Sequence, residues 1–151
     1  ANANFDLAID AGQLDNRFKG LKWITPHYIN KPSDEINLLI DTKNILSEIK
    51  DKKIIITDYQ FFSSILKNQF ASPNKRYDKL IIPNKKNQYY NEHKNFFFEK
   101  IKDNEIKYLY FIGSDINKIY FFVEFIDENE CLVSNQFNEL LIEFDISNCK
   151  F

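Results

Sequence analysis

Apolar residues fall into short blocks along this chain, and their spacing changes from block to block. Behind Ser33, residues Ile36, Leu39, Ile40, Leu46 and Ile49 recur at helical spacing. This stripe predicts an amphipathic helix with Ser33 as its N-cap. Asp34 and Glu35 fall in the first turn, where the helix dipole favours negative charge, and the lysine-rich residues 50–53 close the element. Ile54, Ile55, Ile56 and Thr57 form a β-branched run without polar alternation, as expected of a strand covered on both faces. Phe61, Phe62, Ile65 and Leu66 mark a short helix, and Leu80, Ile81 and Ile82 a small strand ended by Pro83. Residues 89–102 place Tyr90, His93, Phe97 and Ile101 on one helical face, with a stop at Asn104. Residues 106–112 are a second strand, almost wholly apolar and aromatic. Gly113, Ser114 and Asp115 turn the chain out of it, Gly113 marking a turn that calls for positive φ.

Residues 116–126 fit two templates. Their aromatic and β-branched content favours a strand, whereas Ile119, Phe122, Val123 and Ile126 keep helical spacing; the alternation of helix and strand before them favours a helix. Residues 131–133 and 140–146 supply the last strands. The order helix, strand, helix, strand, helix, strand predicts an α/β domain over residues 33–151. Its expected form is a three-layer, Rossmann-like arrangement with a mostly parallel central sheet and helices on both faces. Residues 1–32 carry scattered apolar positions with Gly12, Gly20, Pro26 and Pro32. They read as an extended N-terminal arm with short strands at 5–9 and 21–25. Residues 1–3 are compatible with a cloning remnant and are set aside.

Composition narrows the class. With 151 residues, 44% of them hydrophobic and 16% aromatic, the chain has the apolar surface for one domain with a real core. No window approaches the roughly 18–20 uninterrupted apolar residues of a membrane span, so the chain reads as soluble. A formal charge of -2 argues against an electrostatic grip on nucleic acid. Abundant Lys, Asn, Ile, Phe and Tyr beside 3 Gly is what the codons of an AT-rich genome produce, so richness in Lys and Asn is not taken as a functional signal. The absence of Met makes a processed product or a piece of a longer protein the expectation.

Candidate chemistry concentrates at one predicted edge. Ligands of open α/β sheets sit beyond the carboxyl ends of the strands. Parallel strands at 54–57 and 106–112 would bring Asp58 and Tyr59 together with Ser114 and Asp115 there. The segment SPNKRYD would loop nearby, adding Ser72, Asn74, Lys75, Arg76, Tyr77 and Asp78 as ligand or partner contacts. Arg76 and Arg17 are the chain's only arginines, and a guanidinium fork grips carboxylate or phosphate bidentately. Structural roles fit the same residues: Asp58 and Asp115 as helix N-caps, Ser72, Pro73 and Asn74 as turn formers, and Arg76 with Asp78 as an ion pair. No glycine-rich phosphate cradle is present, and His27, His93, Cys131 and Cys149 are too dispersed for a zinc site, so neither cofactor nor metal is expected. Lys85, Lys86, Tyr89, Tyr90 and Lys94 interleave charge and rings in a way that suits single-stranded nucleic acid. The net charge and the helical spacing of the tyrosines weigh against that use. Cys131 and Cys149 either close a disulfide or remain separate buried thiols.

Six stretches, GLKWITPHY, KKIIITDYQFFSS, SPNKRYD, IPNKKNQYY, IKYLYFIG and ECLV with NELLIEFDISNC, carry a resemblance that covers nearly the whole chain. Together they resemble the soluble C-terminal region of polytopic bacterial membrane proteins related to lipid-linked-sugar glycosyltransferases, the mannosyltransferase-like GT-C group. The resemblance implies a periplasmic domain following a bundle of membrane helices, in a parent that transfers sugar from a polyprenyl-phosphate carrier. The catalytic acids of such enzymes lie in an early loop between membrane helices, outside this chain, so the domain itself is expected to be non-catalytic. Its implied partners are the parent membrane domain and a glycan or lipid-linked sugar acceptor. The implied compartment favours a Cys131–Cys149 disulfide. The arm at 4–32 would be the stretch leaving the membrane, with Trp23 near the interface. The other expectation is a free-standing Rossmann-like enzyme or binding domain for a phosphorylated or nucleotide-sugar ligand.

Overall fold

The computed structural model describes residues 5–25, 31–67, 72, 82–127 and 130–151. The chain divides into two compact units, Ala1–Ile49 and Lys50–Phe151. The predicted strand at Leu80 and Ile81 lies outside the described residues; Ile82 is described and buried.

In the first unit the lead-in is less extended than its glycines and prolines imply. Short 3-10 turns at Phe5–Leu7, Ala11–Gln13 and Asn16–Phe18 alternate with an antiparallel ribbon of β1 (Ile9–Asp10) and β2 (Lys22–Trp23). Asp10 holds this segment closed by accepting the backbone N–H of Gly12 at 2.7 Å and of Gly20 at 3.0 Å. Those two bonds to the charged form keep its carboxyl below the usual range. Gly20 has φ +87°, a left-handed turn that glycine adopts without strain.

Helix α1 (Pro32–Glu48) begins one residue before the predicted cap. Pro32 opens it, because proline's fixed φ and missing N–H suit a first turn, and the N-cap Lys31 makes no side-chain cap bond. Ser33 therefore sits inside the helix. Glu35, only 6% exposed, accepts hydrogen bonds from Trp23 Nε1 at 3.0 Å and Thr25 Oγ1 at 2.6 Å. A buried carboxylate needs such donors to offset its lost hydration. Lys43 adds a second tie by donating to the Leu14 carbonyl at 2.8 Å.

The second unit is a mixed α/β fold. Its four-stranded sheet has the order β3-β4-β6-β5, with β3 (Ile54–Thr57), β4 (Tyr108–Ile112), β5 (Val133–Gln136) and β6 (Leu141–Asp145). Only β3 and β4 are parallel; β4 with β6 and β6 with β5 are antiparallel. The expectation of a mostly parallel sheet is thereby corrected. Residues 137–140 are too few for the dozen or so residues a parallel crossover needs, so β5 and β6 form a hairpin.

Helices α2 (Phe62–Ile65), α3 (Tyr90–Asp103) and α4 (Ile116–Ile126) are the helices of this unit among the described residues. The ambiguous segment is helical, and its period explains why: Ile119, Phe122, Phe125 and Ile126 are buried while Ile116 and Tyr120 face solvent. Phe97 of α3 meets Phe122 and Phe125 of α4 edge to face, with ring centroids 6.1 and 5.5 Å apart. Phe122 continues the contact to Phe144 of β6 at 6.2 Å. One sheet face, carrying Ile54, Ile56, Leu109, Phe111 and Phe144, joins α3 and α4 in this core. At the C-terminus Phe151 packs on Phe98 with centroids 4.6 Å apart.

The helical phase of α4 can be read in solution. Phe122→Ala should lower unfolding free energy by about 3–5 kcal/mol in urea, whereas Tyr120→Ala should stay within about 0.5 kcal/mol. Comparable losses at both positions would indicate a different burial pattern.

Candidate functional site

The carboxyl edge of the parallel pair exists as predicted in position, but its polar groups are engaged in holding the fold. Thr57 Oγ1 donates to the Ile112 carbonyl at 2.8 Å and accepts the Tyr59 N–H at 2.9 Å, tying the ends of β3 and β4. Asp58 forms an ion pair with Lys118 of α4. It does not cap α2, whose N-cap is Phe61 with no side-chain bond. Asp115 is the N-cap of α4, accepting from Asn117 N at 3.0 Å and Lys118 N at 3.4 Å. Tyr59 packs edge to face on Phe61 and Phe62. Ser114 is exposed in the turn between β4 and α4.

Gly113 lies outside the left-handed region, contrary to the expectation from its place in a turn. Its value there is closeness: an added Cβ would come within 3.2 Å of the Phe111 ring.

Ser72 lies elsewhere. Its hydroxyl accepts the Ile55 N–H at 2.9 Å and donates to the Ile55 carbonyl at 3.1 Å, so it satisfies both backbone groups of Ile55 in the middle of β3. Asn74, Lys75, Arg76, Tyr77 and Asp78 lie outside the described residues. The other arginine, Arg17, forms a two-bond fork with Asp15, Nε to Oδ1 at 2.8 Å and Nη2 to Oδ2 at 3.1 Å. The guanidinium fork, followed by the Arg17 backbone N–H, holds the Asp15 carboxyl well below the usual range.

The basic and aromatic run contributes to a feature that periodicity did not point to. A cleft of about 370 Å³ opens between residues 82–85, the start of α3 and α4. Its lining combines the apolar Ile82, Pro83, Tyr90, Phe121 and Phe125 with the polar Asn84, Lys85 and Glu124. Lys85 Nζ and Glu124 Oε1 are 2.7 Å apart, and this bond lowers the Glu124 pKa. Lys94, by contrast, is buried, its ammonium 5.8 Å from the Tyr90 ring centre and 5.4 Å from that of Phe98. Tyr89 is exposed. The sequence signal for the cleft was the coincidence of Pro83, Tyr90 and Phe121 with charged neighbours, but the pairing of Lys85 with Glu124 across 39 positions is visible only in three dimensions. A second cleft of equal volume, lined by Asp51, Lys52, Asn104, Glu105, Lys107 and Tyr108, is strongly polar and lies at the amino end of β4.

His93 is half-buried beside Phe125, with ring centroids 5.8 Å apart, and its buried Nε2 has no hydrogen-bond partner among the described residues. Burial lowers its pKa. On the other sheet face Tyr110, 1% exposed, donates to Glu143 Oε2 at 2.9 Å. Burial, reinforced by that carboxylate, raises the phenol pKa, so Tyr110 acts as a fixed donor.

Cys131 and Cys149 form a disulfide with Cα atoms 5.1 Å apart, which ties the C-terminal tail to the segment following α4. Asp127 organises that segment by accepting the Cys131 N–H at 2.8 Å and the Leu132 N–H at 3.3 Å. Its carboxylate and the two sulfurs lie within 4.8 Å of one another. While the sulfurs are bonded to each other they offer no thiolate to a metal.

No protein-family model, curated protein or solved structure matches the chain.

Two measurements check these assignments. Asp115→Ala should cost about 1 kcal/mol through loss of the α4 cap, while Asp58→Asn, removing a largely exposed ion pair, should cost less than about 1 kcal/mol. His93 adds a pH dependence. Its folded pKa is lowered, so the unfolded chain binds the proton first as pH falls below about 6.5. The stability contributed by neutral His93 is present above that pH and declines below it, toward the folded pKa. His93→Gln should flatten this part of a stability-against-pH curve.

Proposed function

We propose that the chain is a non-catalytic, extracytoplasmic domain of a bacterial membrane glycosyltransferase-like protein. Its role there is to position a glycan or lipid-linked acceptor, or the parent membrane domain itself. The observation that carries this proposal is the Cys131–Cys149 disulfide, since such bonds persist in oxidising compartments and are rare where thiols are kept reduced. A non-catalytic role is supported by the carboxyl edge, where Thr57, Asp58 and Asp115 serve the fold, and by His93, which packs against a phenylalanine ring. A three-layer plan belongs to the same proposal, supported by the burial of Ile55, Tyr110, Ile112 and Leu141 on the second sheet face.

The alternative, a free-standing Rossmann-like binder of a phosphorylated or nucleotide-sugar ligand, would use Asp58, Arg76 and Ser114. Its support is the parallel alignment of β3 with β4. The Asp58–Lys118 pair counts against it, because the Asp58 carboxylate is already engaged.

Location is testable with a membrane-impermeant amine reagent, for which Lys86 offers an exposed target. The protein should be labelled in intact spheroplasts of its native cell and carry no free thiol before reduction. Labelling only after lysis, with both thiols free, would contradict the proposal. Reduction, or Cys149→Ser, should lower stability by about 2–4 kcal/mol, as expected for cysteines with a sequence separation of 18.

A further inference from the structure

We propose that the cleft between residues 82–85, α3 and α4 is a binding site for a neutral pyranose, as a mono- or disaccharide unit. The inference deepens the proposed function, on which it rests for its biological context, by naming the ligand class and the site.

Shape and lining come first. A volume of about 370 Å³ lies at the small end of small-molecule sites, which run from about 300 to 1,000 Å³. A lining that combines apolar ring and proline surfaces with an amide, an ammonium and a carboxylate matches an amphipathic ligand. A pyranose has that division, with C–H groups exposed on its ring faces and hydroxyls around its rim. Aromatic faces carry negative potential and attract the slightly positive C–H groups.

Charge narrows the class further. Lys85 and Glu124 pair at 2.7 Å, so the charges among the described lining residues balance, which favours a neutral ligand over a phosphate. The same pair sets a strong donor beside a strong acceptor, a spacing that neighbouring hydroxyls can bridge, one accepting from Lys85 Nζ and the next donating to the Glu124 carboxylate. Asn84 spends its Oδ1 on the Lys86 N–H at 3.0 Å, which leaves its NH₂ group as a further donor. An alkyl chain would use only the apolar part of the lining and make no use of these polar groups.

The walls are also held in place before any ligand arrives. Tyr90 meets Phe125 edge to face at 6.2 Å and 82°. The Lys94 ammonium lies over the Tyr90 ring. Phe125 is itself part of the core through Phe97. A preorganised site loses less side-chain entropy on binding.

The test is an NMR titration of amide shifts in the oxidised protein with methyl α-mannopyranoside and methyl β-glucopyranoside, alongside inorganic phosphate and 1-hexanol. At least one glycoside should give saturable shifts concentrated at Asn84, Lys85, Tyr90, Phe121 and Glu124. Glu124→Gln and Phe121→Leu, which keep the fold, should each weaken binding about tenfold. The proposal is overturned by saturable shifts from neither glycoside, by shifts centred elsewhere, or by tighter binding of phosphate or hexanol in this cleft. Saturable glycoside binding in a protein that is labelled only after lysis would retain the site and discard the extracytoplasmic role. Spheroplast labelling without glycoside binding would do the reverse.

Discussion

The edge-to-face interlock of Phe97 with Phe122 and Phe125 is the contact on which the second unit depends. It joins α3 to α4, and Phe122 carries the contact on to Phe144 in β6. Through Phe125 it fixes Tyr90 and one wall of the cleft, and through Phe98 it gives Phe151 a place to dock. Among the described residues the sheet has four strands, and α3 and α4 pack in the core on this face. The disulfide acts on the same assembly from outside, holding residues 131 and 149 together so that the tail carrying Phe151 stays near α3.

Local pattern made much of this legible. The run Ile54, Ile55, Ile56 became a strand buried along its whole length, and α3 ends at Asn104 as the apolar spacing required. In α4 the stripe of Ile119, Phe122 and Ile126 outweighed β propensity, because only a helix puts all three on one side. Strand direction was harder to see. Alternating helices and strands imply parallel pairing, yet the four residues between β5 and β6 decide for a hairpin, and connection length was the available signal.

The candidate site was less legible because polar residues at strand ends have two uses that sequence does not separate. Asp115 could offer its carboxylate to a ligand or to the first N–H groups of α4, and the helix takes it. Ser72 could line a loop, but it satisfies both backbone groups of Ile55 in β3. Conversely, Lys85 and Glu124 meet because residues 82–85 pass beside the exposed side of α4, a tertiary fact with no local trace. A ligand-sized cleft consequently lies where the aromatic core comes to the exterior, and its described charges, Lys85 and Glu124, are paired.

Native-state hydrogen exchange, compared with and without reduction of the disulfide, tests most directly whether the aromatic interlock makes the second unit one cooperative body. Amides of α3, α4, β4 and β6 should exchange at one common opening free energy, and reduction should lower all four together. Exchange of α4 or its cleft wall at a much lower free energy than β4, unaffected by reduction, would contradict the account.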